Sequence, residues 1–187
     1  MRKPPAVMPN AQTRTMTIKL DNIPDYGHFE EIVFDIVDDW KGENWNFALF
    51  RTSDGSEWCG HFRTGEINNF LVAEILDSKI VCIISGGHGY IIDVEKREKL
   101  KDLDGNRITS MISVSNAFFI IGKDCDIHRT DLNYNEIEII SPVSFDGIEF
   151  LEIKENKLLL ELTEIGAAMK KNLNYYLDLT DWEIKKH

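Results

Sequence analysis

Cysteine is scarce in this chain: three thiols, Cys59, Cys82 and Cys125, stand among 187 residues. An odd and sparse set does not make a disulfide framework, so reduced thiols and a cytoplasmic setting are expected. Long apolar runs are missing as well. No stretch approaches the roughly 18 consecutive apolar residues that a membrane span requires, so no membrane association is expected. The opening residues, MRKPPAVMPN, are basic and proline-bearing but lack the apolar run of a secretory signal. Residues 1–12 are therefore expected to be a flexible segment, and 13–187 a single all-β domain. There is no G-x-S-x-G elbow, and the five histidines stand in no triad context. Nucleophilic catalysis has no support in the sequence.

Positive charge is also in short supply. Lysine and arginine number 21 against 32 aspartates and glutamates, for a formal net charge of -11. Residues 1–20 carry +4, residues 21–58 carry -8 and residues 59–187 carry -7. Phosphate backbones repel such a surface, which argues against nucleic acid as a partner. A basic protein would be attracted and steered onto it.

What the sequence does contain is a hidden period of about forty residues. Four times an apolar, β-branched segment ends in a short polar turn and a second apolar segment follows: residues 32–39, 72–78, 111–116 and 150–156. The turn residues Asp38, Asp77, Ser115 and Glu155 lie 39, 38 and 40 positions apart. A strand-built repeat of this length implies one four-stranded unit per repeat, the layout of a propeller blade. The expected fold is all-β, a small or partial β-propeller-like repeat, with a twisted β-sandwich as the alternative. Phe29, Ile32, Val33, Ile36, Val37 and Trp40 also fit a helical stripe, but β-branching and place in the period select strand. Ser53-Asp54-Gly55-Ser56 and Gly86-Gly87 read as hairpin turns. Only residues 164–171 suggest a helical turn. The last repeat reads as one strand short, and the alternating segment 13–20 (TRTMTIKL) is expected to complete it.

Three passages carry a resemblance. Ile84–Asp93 (ISGGHGYIID), Phe145-Asp146-Gly147-Ile148 and Tyr176–Thr180 (YLDLT) resemble a bacterial family of uncharacterised propeller-like proteins with GGxGY and DG-I motifs. Some members look like immunity partners of secreted toxins. The resemblance implies such a role without assigning it to any residue.

Candidate chemistry reduces to four constellations. Gly86–Gly89 offers backbone amides to a phosphate, but it joins strand to strand rather than strand to helix, which favours a plain turn with an exposed His88. Cys59 with His61 and Cys125 with His128 are zinc-ligand types, yet their spacing matches no zinc ribbon, and no metal or other cofactor is assigned. Asp124, Asp126 and Asp131 around His128 read as a solvated turn. The fourth is an interaction surface of Asp35, Asp38, Asp39, Glu43, Asp54 and Glu57 interleaved with Trp40, Trp45 and Trp58. Tryptophan anchors ringed by carboxylates suit a basic protein partner. The functional expectation is a non-enzymatic, acidic protein-binding module, with an immunity-type inhibitor of a basic bacterial toxin as its sharpest form. The alternative is a ligand-binding or hydrolytic propeller with a central carboxylate/histidine pocket.

Overall fold

The computed structural model describes residues 16–25, 27–36, 42–103, 105, 107–114, 118–140, 145–164 and 172–186. The expected flexible segment 1–12, the turn residues Asp38 and Ser115, and positions 165–171 of the expected helical turn lie outside the described residues.

Among the described residues, sixteen strands form four four-stranded sheets. The second sheet is a simple meander of β5 (Phe70–Ile75), β6 (Ile80–Ser85), β7 (His88–Asp93) and β8 (Glu98–Leu103). The third repeats it with β9 (Ile108–Val114), β10 (Phe118–Lys123), β11 (Asp126–Thr130) and β12 (Glu136–Ile140). The fourth does so with β13 (Phe145–Lys154), β14 (Lys157–Glu164), β15 (Asn172–Asp178) and β16 (Ile184–Lys186). Asp77 and Glu155 each sit between the first and second strands of their sheet, so the forty-residue period is the spacing of successive blade-like units. A sandwich has two sheets, and four exclude it.

The first sheet departs from this scheme. Its order is β1 (Thr17–Leu20), β3 (Trp45–Arg51), β4 (Glu57–Arg63), β2 (Glu30–Phe34), and β2 runs parallel to β4. Residues 30–34 are strand, as expected, but the segment after β1 crosses to the far edge. Two further expectations are corrected here. The fourth sheet has its own last strand, β16, and the N-terminal strand β1 pairs with β3 in the first sheet instead of completing the last.

The sheets stack face to face, and strand alternation decides which side chain enters which core. On β6, Val81 and Ile83 point into the core shared with the first sheet, while Ile80, Cys82 and Ile84 point into the core shared with the third. β6 is therefore apolar at nearly every position, the mark of a strand covered on both faces. Gly86 and Gly87 join it to β7 with φ of 61° and 90°, the pair of positive values that a tight two-residue turn demands. A third core lies between the third and fourth sheets, around Ile120, Ile148, Leu160 and Leu177. First strands lie beside first strands: Glu74 of β5 accepts from the Thr17 amide at 2.6 Å, and Ser110 of β9 donates to the Ile148 carbonyl of β13 at 2.8 Å. Outer parts meet outer parts, as Arg97 does Glu30 and Lys101 does Asn135. Among the described residues, no core cluster draws side chains from both the first and the fourth sheet.

Candidate interaction face

The first sheet buries one face and turns the other away from the stack. Its buried face carries Phe34, Ala48, Phe50, Trp58 and Phe62. The opposite face follows from the register. Ile18, Leu49, Cys59 and Glu31 form one row across the four strands, and Leu20, Phe47, His61 and Val33 form the next. Two of these apolar side chains stand well out in solvent, Ile18 at 46% and Val33 at 58% exposure. Cys59 lies sunk among its larger neighbours. Burial and the nearby Glu31 carboxylate push its thiol up to about 11, so it is no nucleophile at neutral pH. His61 is also buried, its ring edge-on to Phe47 at 5.0 Å and its Nε2 3.5 Å from Glu31.

Polar groups border this apolar centre at both ends. At one end the Arg63 guanidinium lies 3.9 Å from the Trp45 ring centroid and donates to Asp35 at 3.0 Å. Asp35, Trp45 and Arg63 thus form a single cluster, with Glu43 exposed beside it in sequence. At the other end Arg51 pairs with Glu57. Asp54 sits in the adjacent turn, where the Thr52 hydroxyl and the Ser56 amide and hydroxyl hold its carboxyl down to about 2.

The sequence-predicted site is therefore brought together only in part. Asp38, Asp39 and Trp40 lie outside the described residues. Asp35, Glu43 and Trp45 gather at one end of the sheet. Asp54 and Glu57 gather at the other, a strand length of roughly 20 Å away, because an extended chain advances about 3.3 Å per residue. Trp58 is a correction. It is 0% exposed, stacked on Phe50 at 4.3 Å, and its indole N–H donates to the Val94 carbonyl at 3.1 Å. It holds the first two sheets together and is not a surface anchor. The residues that sequence reasoning missed are Ile18, Phe47, Leu49 and Val33. Their signal was available in the alternation of WNFALFR, whose odd positions face away from the core.

The other constellations resolve into local structure. Cys59 and His61 lie on the first sheet, and Cys125 and His128 on the third, with the second sheet between them. Among the described residues no group of three or more His, Cys, Asp and Glu is placed to hold a metal. Asp124 pairs with Arg107 at 2.9 Å, and Asp131 accepts the Asn133 and Asn135 amides at 2.7 and 2.8 Å. His88 is half-buried beside Gly65 rather than exposed. A half-buried polar cluster unforeseen from sequence joins Lys123 and His128 to Glu136, the imidazole 3.6 Å from the carboxylate. Desolvation, with Lys123 adding to it, lowers the His128 pKa.

A cavity of about 410 Å³ opens along the first strands, lined by Leu71 of β5, Thr109 and Met111 of β9, Glu149 of β13 and Glu161 and Thr163 of β14. Glu149 and Glu161 face each other in register. Among the described residues, the lining of this cavity includes these two carboxylates and no histidine.

No protein-family model matches this chain, and no curated protein matches it. Among solved structures it is similar to the WD40 domain of SCAP from fission yeast, at 12% identity and a TM-score of 0.39, over 71% of this chain and 38% of that one. The chain thus spans well under half the length of that structure.

Proposed function

We propose that this protein acts in the cytoplasm by binding another protein, and that the outer face of its first sheet is the contact surface. One observation carries the reading: two in-register rows of mostly apolar side chains, uncovered by any other sheet among the described residues, end at Asp35, Glu43 and Trp45 on one side and Glu57 on the other. Contiguous apolar surface bordered by charge is how docking sites present themselves. The border pairs Asp35 with Arg63 and Glu57 with Arg51, and the -8 carried by residues 21–58 fits a basic partner. In its sharpest form the partner is a basic bacterial toxin domain that the face occludes, the role to which the short-motif resemblance points. The mechanism is steric and electrostatic, with association that slows as salt rises.

The test uses the full chain as bait, identifies the captured protein by mass spectrometry and titrates its purified form by calorimetry. Val33→Glu and Trp45→Ala are each expected to weaken binding at least tenfold, while Lys99→Ala, on the second sheet, leaves it unchanged. A partner that binds both face variants as tightly as the parent chain refutes the assignment.

The cavity along the first strands favours a second reading, a small-ligand site in which Glu149 and Glu161 orient a polar molecule. Glu161→Gln would then abolish ligand-induced thermal stabilisation without touching capture by the first sheet.

A further inference from the structure

The cavity along the first strands holds three acceptor side chains that the protein itself leaves unused. β13 bulges where it enters the cavity, its register slipping between Phe145 and Ile148. Beyond the bulge Glu149 stands directly opposite Glu161 of β14, and Thr163 lies two residues along that strand. On β14 these side chains alternate with Leu160 and Leu162, which fill the core shared with the third sheet, so Glu161 and Thr163 turn to the other side. Among the described residues, no ion pair or side-chain hydrogen bond engages either carboxylate or the Thr163 hydroxyl. Gly147 keeps that hydroxyl open. Its φ of 131° suits glycine, and a Cβ there would lie 3.5 Å from the Thr163 Oγ1. Among the described residues that line the cavity there is no lysine or arginine, while Leu71, Met111 and Phe150 give it an apolar wall.

We infer that this cavity binds a small primary amine as its alkylammonium ion, the nitrogen between Glu149 and Glu161 and the carbon chain laid on the apolar wall. This rests on the reading of the cavity as a small-ligand site and names the ligand's class. Like charges directly opposite each other on paired strands repel. A cation between them removes that repulsion, whereas an anion adds to it. An ammonium group has three N–H donors, and two carboxylates with one hydroxyl supply three acceptors. Hydrogen bonds to ionised groups are also the strong ones. A metal ion suits the cavity less well. Among the described residues no group of three or more His, Cys, Asp and Glu is placed to hold one, and an apolar wall offers it no ligand. The volume, about 410 Å³, is that of a small-molecule pocket and far exceeds what a single ion fills. The net charge of -11 draws cations toward the chain.

The experiment is an NMR titration of the amide groups of the full chain, in phosphate buffer at neutral pH and constant ionic strength. The probes are pentylamine, 1-pentanol and pentanoate, each taken to about 20 mM because so few ligand atoms bind only weakly. Pentylamine is expected to shift the amides of residues 147–150 and 161–163 saturably, with a dissociation constant at least tenfold below that of 1-pentanol, and pentanoate to leave them in place. Glu149→Gln and Glu161→Gln each weaken the amine at least tenfold. Circular dichroism melting shows both variants folded, at or above the parent melting temperature, because each relieves the repulsion. Tetramethylammonium, which has the charge but no N–H donor, binds more weakly than pentylamine; equal binding overturns the inference. Calcium chloride that displaces pentylamine at equal concentration also overturns it, as does a lysine tripeptide that binds more tightly, since the occupant would then be a partner's side chain. If 1-pentanol binds as tightly as pentylamine and the glutamine variants change nothing, the ammonium assignment fails while the small-ligand cavity stands. No saturable shift with any probe sinks both.

Discussion

Trp58→Ala removes the largest fully buried side chain, at the joint between the first and second sheets. Truncating a buried aromatic ring to alanine costs about 3–5 kcal/mol, since the lost transfer energy is joined by a cavity that the neighbours fill only in part. Here the neighbours are the Phe50 ring stacked at 4.3 Å and Phe34 at 6.3 Å, both held by their own strands. The Val94 carbonyl also loses its indole donor, and an unsatisfied buried acceptor by itself costs about 1–3 kcal/mol. Trp58→Phe isolates that second contribution, because it keeps an aromatic ring and removes the N–H. At this chain length each kcal/mol moves the melting temperature by about 2–4 °C, so the alanine variant is expected to melt roughly 10 °C lower. Trp45→Ala is the contrast: a half-buried ring under Arg63 contributes about 0.5–1 kcal/mol. Urea unfolding followed by circular dichroism, with equal slopes for all variants, measures the three differences. If Trp58→Ala costs no more than Trp45→Ala, the assignment of Trp58 to the core joint is wrong.

Further expectations concern strain, protonation and thiol access. Gly86→Ala must accept a positive φ, about 1–2 kcal/mol, and also place its Cβ against the Gly65 amide nitrogen. Gly55→Ala meets the strain alone, with nothing within 4 Å of the new Cβ, so in chemical denaturation Gly86→Ala should be clearly the more damaging. The depressed pKa of His128 means that the folded chain binds that proton less readily than the unfolded one. Its contribution is complete above the ordinary value of 6.5 and is lost as pH falls through the lower folded value. Stability measured from pH 7.5 to 5 should therefore decline, and His128→Gln should flatten the decline. Alkylation at pH 8 should label Cys125 first, since Cys59 and Cys82 are buried with raised thiol pKa values. Mass spectrometry showing Cys82 labelled in the native protein would contradict the packing.

The architecture was legible where the chain repeats itself. Asp77 and Glu155 marked real hairpin turns, the residues that set the forty-residue period. The first sheet was less legible because alternation tells a strand from a helix but carries no record of its neighbour or direction. Nothing local to Glu30–Phe34 distinguishes a parallel partner at the far edge from an antiparallel one next in line. The candidate site suffered from the same limit. Carboxylates close together in sequence, such as Asp35 and Asp54, were separated by the length of the β3–β4 hairpin. Trp45 and Trp58 looked alike as residues, and only the pairing of β3 with β4 put one on each side of the sheet. Parity within WNFALFR and EWCGHFR held that information, once the hydrophobic face had been assigned.

The double coverage of β6 has a consequence for the life of the chain before and after folding. Ile80–Ser85 is an uncharged, proline-free hexapeptide of high β propensity, the composition that stacks into intermolecular fibrils when bare. Its own sheet supplies hydrogen-bonding partners but leaves both sides greasy. Protection therefore comes from blankets on either side, the one made first during synthesis and the other made last of the two. Ribosomal pausing shortly after residue 94, or proteolytic loss of the segment that follows it, would leave half of that protection missing. Recombinant fragments ending there are expected to form thioflavin-positive deposits, whereas fragments extended through β12 remain dispersed.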